Sequence, residues 1–317
     1  MSRKIAFINQ AHPILEEKLT QMGYECHAHF DTPKVELEAQ LADYFGVIMR
    51  SRIRADQAFI NAGRNLKFIA REGVGVEHIE VEYAEKKGIK VITSPEGSQD
   101  TVAEHTMAFL LNLLNKVNRA DQQVKAGIWE REANRAIELK GKTVGIIGYG
   151  NMGRAFAKRL SGFDCRVIAY DKYKQNYGDQ YAKAVDLATL QAESDIISLH
   201  VFYEDSNHLF VNKDYLDAFK KNIFVINTAR GLVLHTADLV EYLKIGKVRG
   251  AALDVLEYEE QSFAKLSIES LPEAFTYLTE SDRVILSPHI AGWSFESKKG
   301  HAEVLGEKIE QYFGRGD

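Results

Sequence analysis

Between Gly148 and Gly153 the chain reads Gly-Tyr-Gly-Asn-Met-Gly, directly after the apolar run Thr143-Val144-Gly145-Ile146-Ile147. This order of strand, glycine turn and helix constrains the fold more than any other stretch. The first glycine permits a tight turn, the second lets backbone approach a pyrophosphate, and the third packs helix against strand. The helix expected next, from Asn151 to Leu160, would present its first N–H groups and the positive end of its dipole to phosphates. A second apolar run, Arg166-Val167-Ile168-Ala169-Tyr170, leads to Asp171, 18 residues past the last glycine. A carboxylate there accepts hydrogen bonds from ribose hydroxyls and repels a 2′-phosphate, which points to NAD rather than NADP. Gly148, Gly150, Asn151, Met152, Gly153 and Asp171 are therefore candidate cofactor-binding residues.

A chain of 317 residues exceeds one ordinary α/β core, so two domains are expected. Its 45% hydrophobic and 27% charged residues suit a globular protein. A net charge of −5 gives no reason to expect a nucleic-acid partner. Two distant cysteines, Cys26 and Cys165, exclude a disulfide framework or a cysteine-rich metal centre. The first residues lack the apolar core of a signal peptide, and no apolar run reaches membrane-spanning length. The expectation is a cytoplasmic protein with neither membrane nor nucleic-acid partner and no bound metal.

The first hundred residues alternate short apolar strands with amphipathic helices. Strands are expected at Ile5–Ile8, Tyr24–His29, Gly46–Met49, Leu66–Ile69 and Lys90–Ile92. Such alternation gives a parallel sheet covered by helices. A helical pattern without proline or glycine then runs from Gln99 to Lys125. Beyond the glycine turn, strands are expected at Ile196–His200, Ile223–Asn227, Gly250–Asp254 and Val284–Ser287. The reading is an α/β protein of two domains. A Rossmann dinucleotide-binding domain (99–289) is inserted in a flavodoxin-like parallel-sheet substrate domain (1–98 and 290–317).

Ligands of such sheets bind at the carboxyl ends of strands. Three polar residues fall there: Arg230, Glu259 and His289. Oxidising a 2-hydroxy acid requires loss of the hydroxyl proton as well as hydride. An imidazole, with an unperturbed pKa near ~6.5, takes that proton near neutral pH and returns it in reduction. A carboxylate on its other nitrogen orients the ring, and Glu259 is the candidate. Arg230 offers a planar fork for the substrate carboxylate. Asp254 is expected beside the nicotinamide, through its carboxamide.

At this point the chain resembles the D-isomer-specific 2-hydroxyacid dehydrogenases nearly end to end. The matching segments are Gly73-Val74-Gly75, Thr101–His105, Gly148–Gly153, Asn227–Gly231, Gly250–Glu259 and Ser287–Gly292. The resemblance implies Arg230, Glu259 and His289 as catalytic residues and NAD as cofactor. It adds Val201, Thr228, Ala229, Asp254, His289 and Gly292 to the cofactor contacts, and it implies a homodimer formed through the cofactor domain. It also implies that Gly73, Val74 and Gly75 offer backbone N–H groups to the substrate carboxylate, in keeping with glycine-rich anion nests.

Arg50-Ser51-Arg52 resembles the segment that 3-phosphoglycerate dehydrogenases of the family place near the substrate phosphate. Arg50, Ser51 and Arg52 are accordingly candidate substrate contacts, and 3-phosphoglycerate or a related acid the expected substrate. Reduction of glyoxylate, hydroxypyruvate or another 2-keto acid is the alternative. An NAD-sensing binding protein of the corepressor type is a third reading, from another class. The sequence ends at Asp317, short of the C-terminal regulatory domain of many serine-pathway relatives, so control through such a domain is not expected. Two departures stand out. Glu77-His78 replaces the frequent Asp-Asn, and Phe202 replaces the proline of His-x-Pro.

Overall fold

The computed structural model describes residues 3–259 and 272–314. These form two compact units, residues 1–99 with 293–317, and residues 100–292.

The first unit contains β1 (Arg3–Phe7), α1 (Pro13–Gln21), β2 (Tyr24–Ala28), α2 (Lys34–Gln40), β3 (Tyr44–Met49), α3 (Gln57–Ala62), β4 (Phe68–Arg71), α4 (Val81–Lys86) and β5 (Lys90–Thr93). All strands run parallel in the order β2-β1-β3-β4-β5. Both faces are covered, so alternate residues of each strand enter different cores. Ala6, Val47, Met49 and Ile69 pack with Leu37, Phe59 and Ile60 on one face. Ile5, Phe7, Ile48, Phe68 and Ile92 pack on the other with Leu15, Leu19 and, from the C-terminal helix (Phe295–Phe313), Ala302, Leu305 and Ile309. A Cβ on Gly97 would lie 2.4 Å from the amide nitrogen of His301. Glycine there lets the C-terminal helix pack directly on backbone.

The second unit begins with α5 (Gln99–Asn115) and α6 (Val117–Lys125). The single helix expected over this stretch is broken at Lys116, which adopts φ 55°. Asn112 ends one helix and begins the next, since its carbonyl accepts Lys116 N–H (2.7 Å) and its side-chain oxygen accepts Asn118 N–H (2.9 Å). Then follow β6 (Thr143–Ile147), α7 (Asn151–Leu160), β7 (Arg166–Tyr170), β8 (Lys183–Ala184), α8 (Leu187–Glu193), β9 (Ile196–Leu199), α9 (Lys213–Asp217), β10 (Ile223–Asn227), α10 (Thr236–Lys244), β11 (Val248–Leu253), α11 (Glu273–Glu280) and β12 (Val284–Leu286). The seven strands are parallel, in the order β12-β11-β10-β9-β6-β7-β8. The order reverses at β6, and the glycine turn leaves the sheet at that strand.

Candidate active site

The glycine turn has the shape that a dinucleotide needs. Gly148 sits at φ 92°, and a Cβ on it would lie 2.5 Å from the carbonyl oxygen of His200. Gly153 allows α7 to approach the turn, where a Cβ would lie 2.2 Å from Gly148 O. Among the described residues, a Cβ on Gly150 would meet nothing within 4 Å, and no side chain caps the first turn of α7, which holds Asn151 and Met152. An open cradle therefore faces a helix start whose N–H groups no cap has taken. This fits a pyrophosphate. At the end of β7, Asp171 accepts Tyr149 N–H (2.9 Å), Tyr173 N–H (3.0 Å) and Lys174 N–H (3.1 Å). A carboxylate has about four acceptor positions, so these bonds fix its direction and leave room for a ribose hydroxyl. Val201 packs beside Gly148, its Cγ1 lying 3.1 Å from the position a Cβ there would take. Thr228 pairs with Thr106 through their hydroxyls (3.1 Å), and the next residue, Ala229, is buried.

The three expected catalytic residues leave neighbouring strands. Asn227, Leu253 and Leu286 lie side by side at the ends of β10, β11 and β12. Arg230, Glu259 and His289 follow them. Parallel neighbours are about 4.8 Å apart, so the three loops converge on one edge of the sheet. His289 Nδ1 meets Glu259 Oε2 at 2.7 Å. The other carboxylate oxygen accepts Leu256 N–H, which folds the Glu259 side chain back over its own turn. A carboxylate oxygen accepts, so a hydrogen bond from Nδ1–H to Glu259 leaves the lone pair on Nε2. His289 has φ 55°, a conformation that costs a non-glycine residue about 1–3 kcal/mol and is held where surrounding bonds impose it.

Those bonds come from Asp254. Its carbonyl accepts His289 N–H at 2.8 Å. Its carboxylate accepts Ile290 N–H (2.8 Å), Ala291 N–H (2.8 Å) and the Ser287 hydroxyl (2.5 Å). His105 Nε2 completes the cluster at 3.2 Å from Ser287 Oγ. Burial holds this imidazole below its ordinary pKa, against the opposing pull of Asp254. Only 1% exposed and bonded through both oxygens, Asp254 fastens the His289 loop. Gly292 closes the same loop, after Ala291.

Arg230 is half-buried, and its Nη1 donates to Ala229 O at 2.7 Å. The next residue must be glycine, because a Cβ on Gly231 would lie 1.9 Å from Leu256 O. The Arg230 and Glu259 loops are thus packed backbone to backbone.

In the first unit, the Gly73 N–H is taken by Ser94 Oγ (3.1 Å), so it is not part of an anion nest. Among the described residues, Val74 and Gly75 donate no N–H to a protein acceptor. Arg50 and Arg52, expected together at a phosphate, have different fates. Arg52 donates from Nε to Ile8 O (3.1 Å), from Nη1 to Thr32 O (3.0 Å) and from Nη2 to His29 O (2.7 Å). These bonds tie three segments together and use three of the five N–H donors of the side chain. Ser51 lies half-buried between the two arginines. Arg50 Nε pairs with Glu72 Oε2 at 2.6 Å, and its guanidinium carbon lies 5.7 Å from the ring centre of Trp293. Sequence reasoning missed both partners. A buried acid inside a glycine-rich loop was the available signal.

A doubly wound sheet with a pyrophosphate cradle and a histidine–carboxylate pair at adjacent strand ends defines a nucleotide-dependent oxidoreductase architecture. The chain belongs to the D-isomer specific 2-hydroxyacid dehydrogenase family, whose NAD binding domain matches residues 107–291. It is 36% identical to a D-3-phosphoglycerate dehydrogenase of Archaeoglobus fulgidus over 94% of this chain and 56% of that protein, so it spans little more than half of that relative. It is 37% identical to a hydroxypyruvate reductase of Thermotoga maritima, covering 89% of both chains. A solved D-lactate dehydrogenase of Aquifex aeolicus, complexed with NAD and lactic acid, superposes with a TM-score of 0.81 at 28% identity over 98% of this chain and 95% of that one. Among the described residues no helix is long and apolar enough to cross a membrane.

Proposed function

We propose that the chain is an NAD-dependent dehydrogenase of D-2-hydroxy acids, with its chemistry in the second unit and its acid-binding loop in the first. The observation that carries this reading is the 2.7 Å contact between His289 Nδ1 and Glu259 Oε2, on the strand edge that also carries Arg230. His289 Nε2 takes the hydroxyl proton in oxidation and returns it to the carbonyl oxygen in reduction. Glu259 holds the ring in the reactive tautomer and stabilises the imidazolium. Arg230 binds the substrate carboxylate through its planar fork and draws charge from the neighbouring oxygen. Bound NAD supplies the hydride acceptor, or in reduced form the donor. The glycine turn, Asn151, Met152 and Asp171 are the groups that hold it.

The substrate is a 2-hydroxy acid of the 3-phosphoglycerate kind or, in the reductive direction, a glyoxylate- or hydroxypyruvate-like keto acid. The capture of Arg52 by carbonyls favours the second of these. A panel of phosphorylated and unphosphorylated acids, assayed with NAD and NADP, tests the proposal, and absence of turnover with every acid would overturn it. The assembly is a homodimer through the second unit, a reading supported by Val117, Val124, Ile128 and Trp129, which are 46–78% exposed there. Sedimentation at micromolar concentration tests it. Cys26 and Cys165 are free thiols, in keeping with a cytoplasmic location.

A further inference from the structure

We infer that Glu72 sets the substrate class of the first unit: it holds Arg50 by Nε, cancels its charge, and so directs the enzyme to unphosphorylated 2-hydroxy acids. The inference rests on the dehydrogenase reading above.

In a parallel sheet of this strand order, ligands bind beyond the carboxyl ends of the strands, where the order reverses between β1 and β3. Asn9 follows β1 there, and its Oδ1 accepts Arg50 N–H at 2.8 Å. Arg52 fills that edge with its three carbonyl bonds. Arg50 remains, fixed at Nε by Glu72 and laid over Trp293, while its terminal nitrogens donate to no group among the described residues. A planar fork is thus presented, already paired with one negative charge.

The neighbouring cation is Arg71, whose Nη1 donates to Glu72 O at 3.0 Å and lies 1.1 Å from where a Cβ on Gly73 would be. Glu72 offsets one charge of this arginine group. A phosphorylated acid brings two further negative charges, and these would meet a neutralised pair. The Glu72 side chain is 1% exposed, and its Oε1 is buried without a hydrogen bond among the described residues.

The test compares kcat and KM for D-glycerate and 3-phospho-D-glycerate with NAD, in the wild type, Glu72→Gln and Glu72→Asp, with inorganic phosphate as inhibitor. The wild type is expected to favour glycerate and to resist phosphate. Glu72→Gln should raise the phosphorylated-to-unphosphorylated ratio of kcat/KM about tenfold, mainly through KM, and make phosphate competitive. Glu72→Asp, which keeps the charge, should keep the wild-type preference. A wild type that prefers the phosphorylated acid overturns the inference whether or not the variants fold. A parallel loss on both acids in Glu72→Gln overturns it as well, since that marks a structural role. A wild type that turns over neither these acids nor any other 2-hydroxy acid removes the dehydrogenase reading itself.

Discussion

The backbone carbonyl of Asp254 accepts the backbone N–H of His289 at 2.8 Å, and the Asp254 carboxylate takes the next two amides. The position of the proposed base is therefore set by an acid that never meets the proton it moves. In Asp254→Asn, an amide NH₂ replaces one acceptor and faces a backbone N–H. The buried amide left unpaired costs about 1–3 kcal/mol. The variant should show a lower melting temperature and a fall in kcat, while an unchanged kcat would separate the loop from the chemistry.

Replacing His289 by Asn should lower kcat by about 10²–10⁴, with little change in the KM for NAD. Glu259→Gln keeps the shape but loses the charge that stabilises the imidazolium. Its loss should be smaller, about 10–10², and should also fall on kcat. Single-turnover rates with each variant check both.

Arg230→Lys keeps a positive charge and loses the fork. A drop of about 10² in kcat/KM is expected, since two parallel hydrogen bonds are replaced by one point charge. Full activity in this variant would show that Arg230 does not hold the carboxylate.

Gly231→Ala places a methyl 1.9 Å from Leu256 O. Backbone cannot yield as a flexible side chain would, so destabilisation of about 1–3 kcal/mol or more is expected. The thermal transition of the purified variant measures it.

His200 is half-buried with its Nδ1 enclosed, and desolvation of the ring pushes its pKa down to about 3. The unfolded chain takes the proton near pH ~6.5, while the folded chain resists it. The contribution of the neutral ring is therefore complete above pH ~6.5 and is lost as pH falls toward the folded value. Urea unfolding at pH 7 and pH 4.5 should show a smaller difference in His200→Gln than in the wild type. Equal differences would contradict the burial argument.

The fold class was legible because strand and helix periods, glycine turns and chain order all agree. The two-residue β8 was not legible, being too short to carry a period. Neither was the break at Lys116. Lysine is a sound helix former, and the turn depends on Asn112 serving both helices. At the site, Arg230, Glu259 and His289 each follow a recognisable strand, and the sheet order brings them to one edge. The partners of Arg52 were not legible for a physical reason: they are the carbonyls of Ile8, His29 and Thr32, and backbone acceptors leave no mark in a sequence. Nor was the direction of the Asp254 carboxylate, which is decided by a loop more than thirty residues later.

Because β10, β11 and β12 are neighbours, the guanidinium, carboxylate and imidazole ride on one contiguous block of sheet. The selection of acids, by contrast, is assigned to loops encoded in the first hundred residues. A chimaera that imports those loops from a relative with another diet should thus inherit its appetite while keeping its own proton relay.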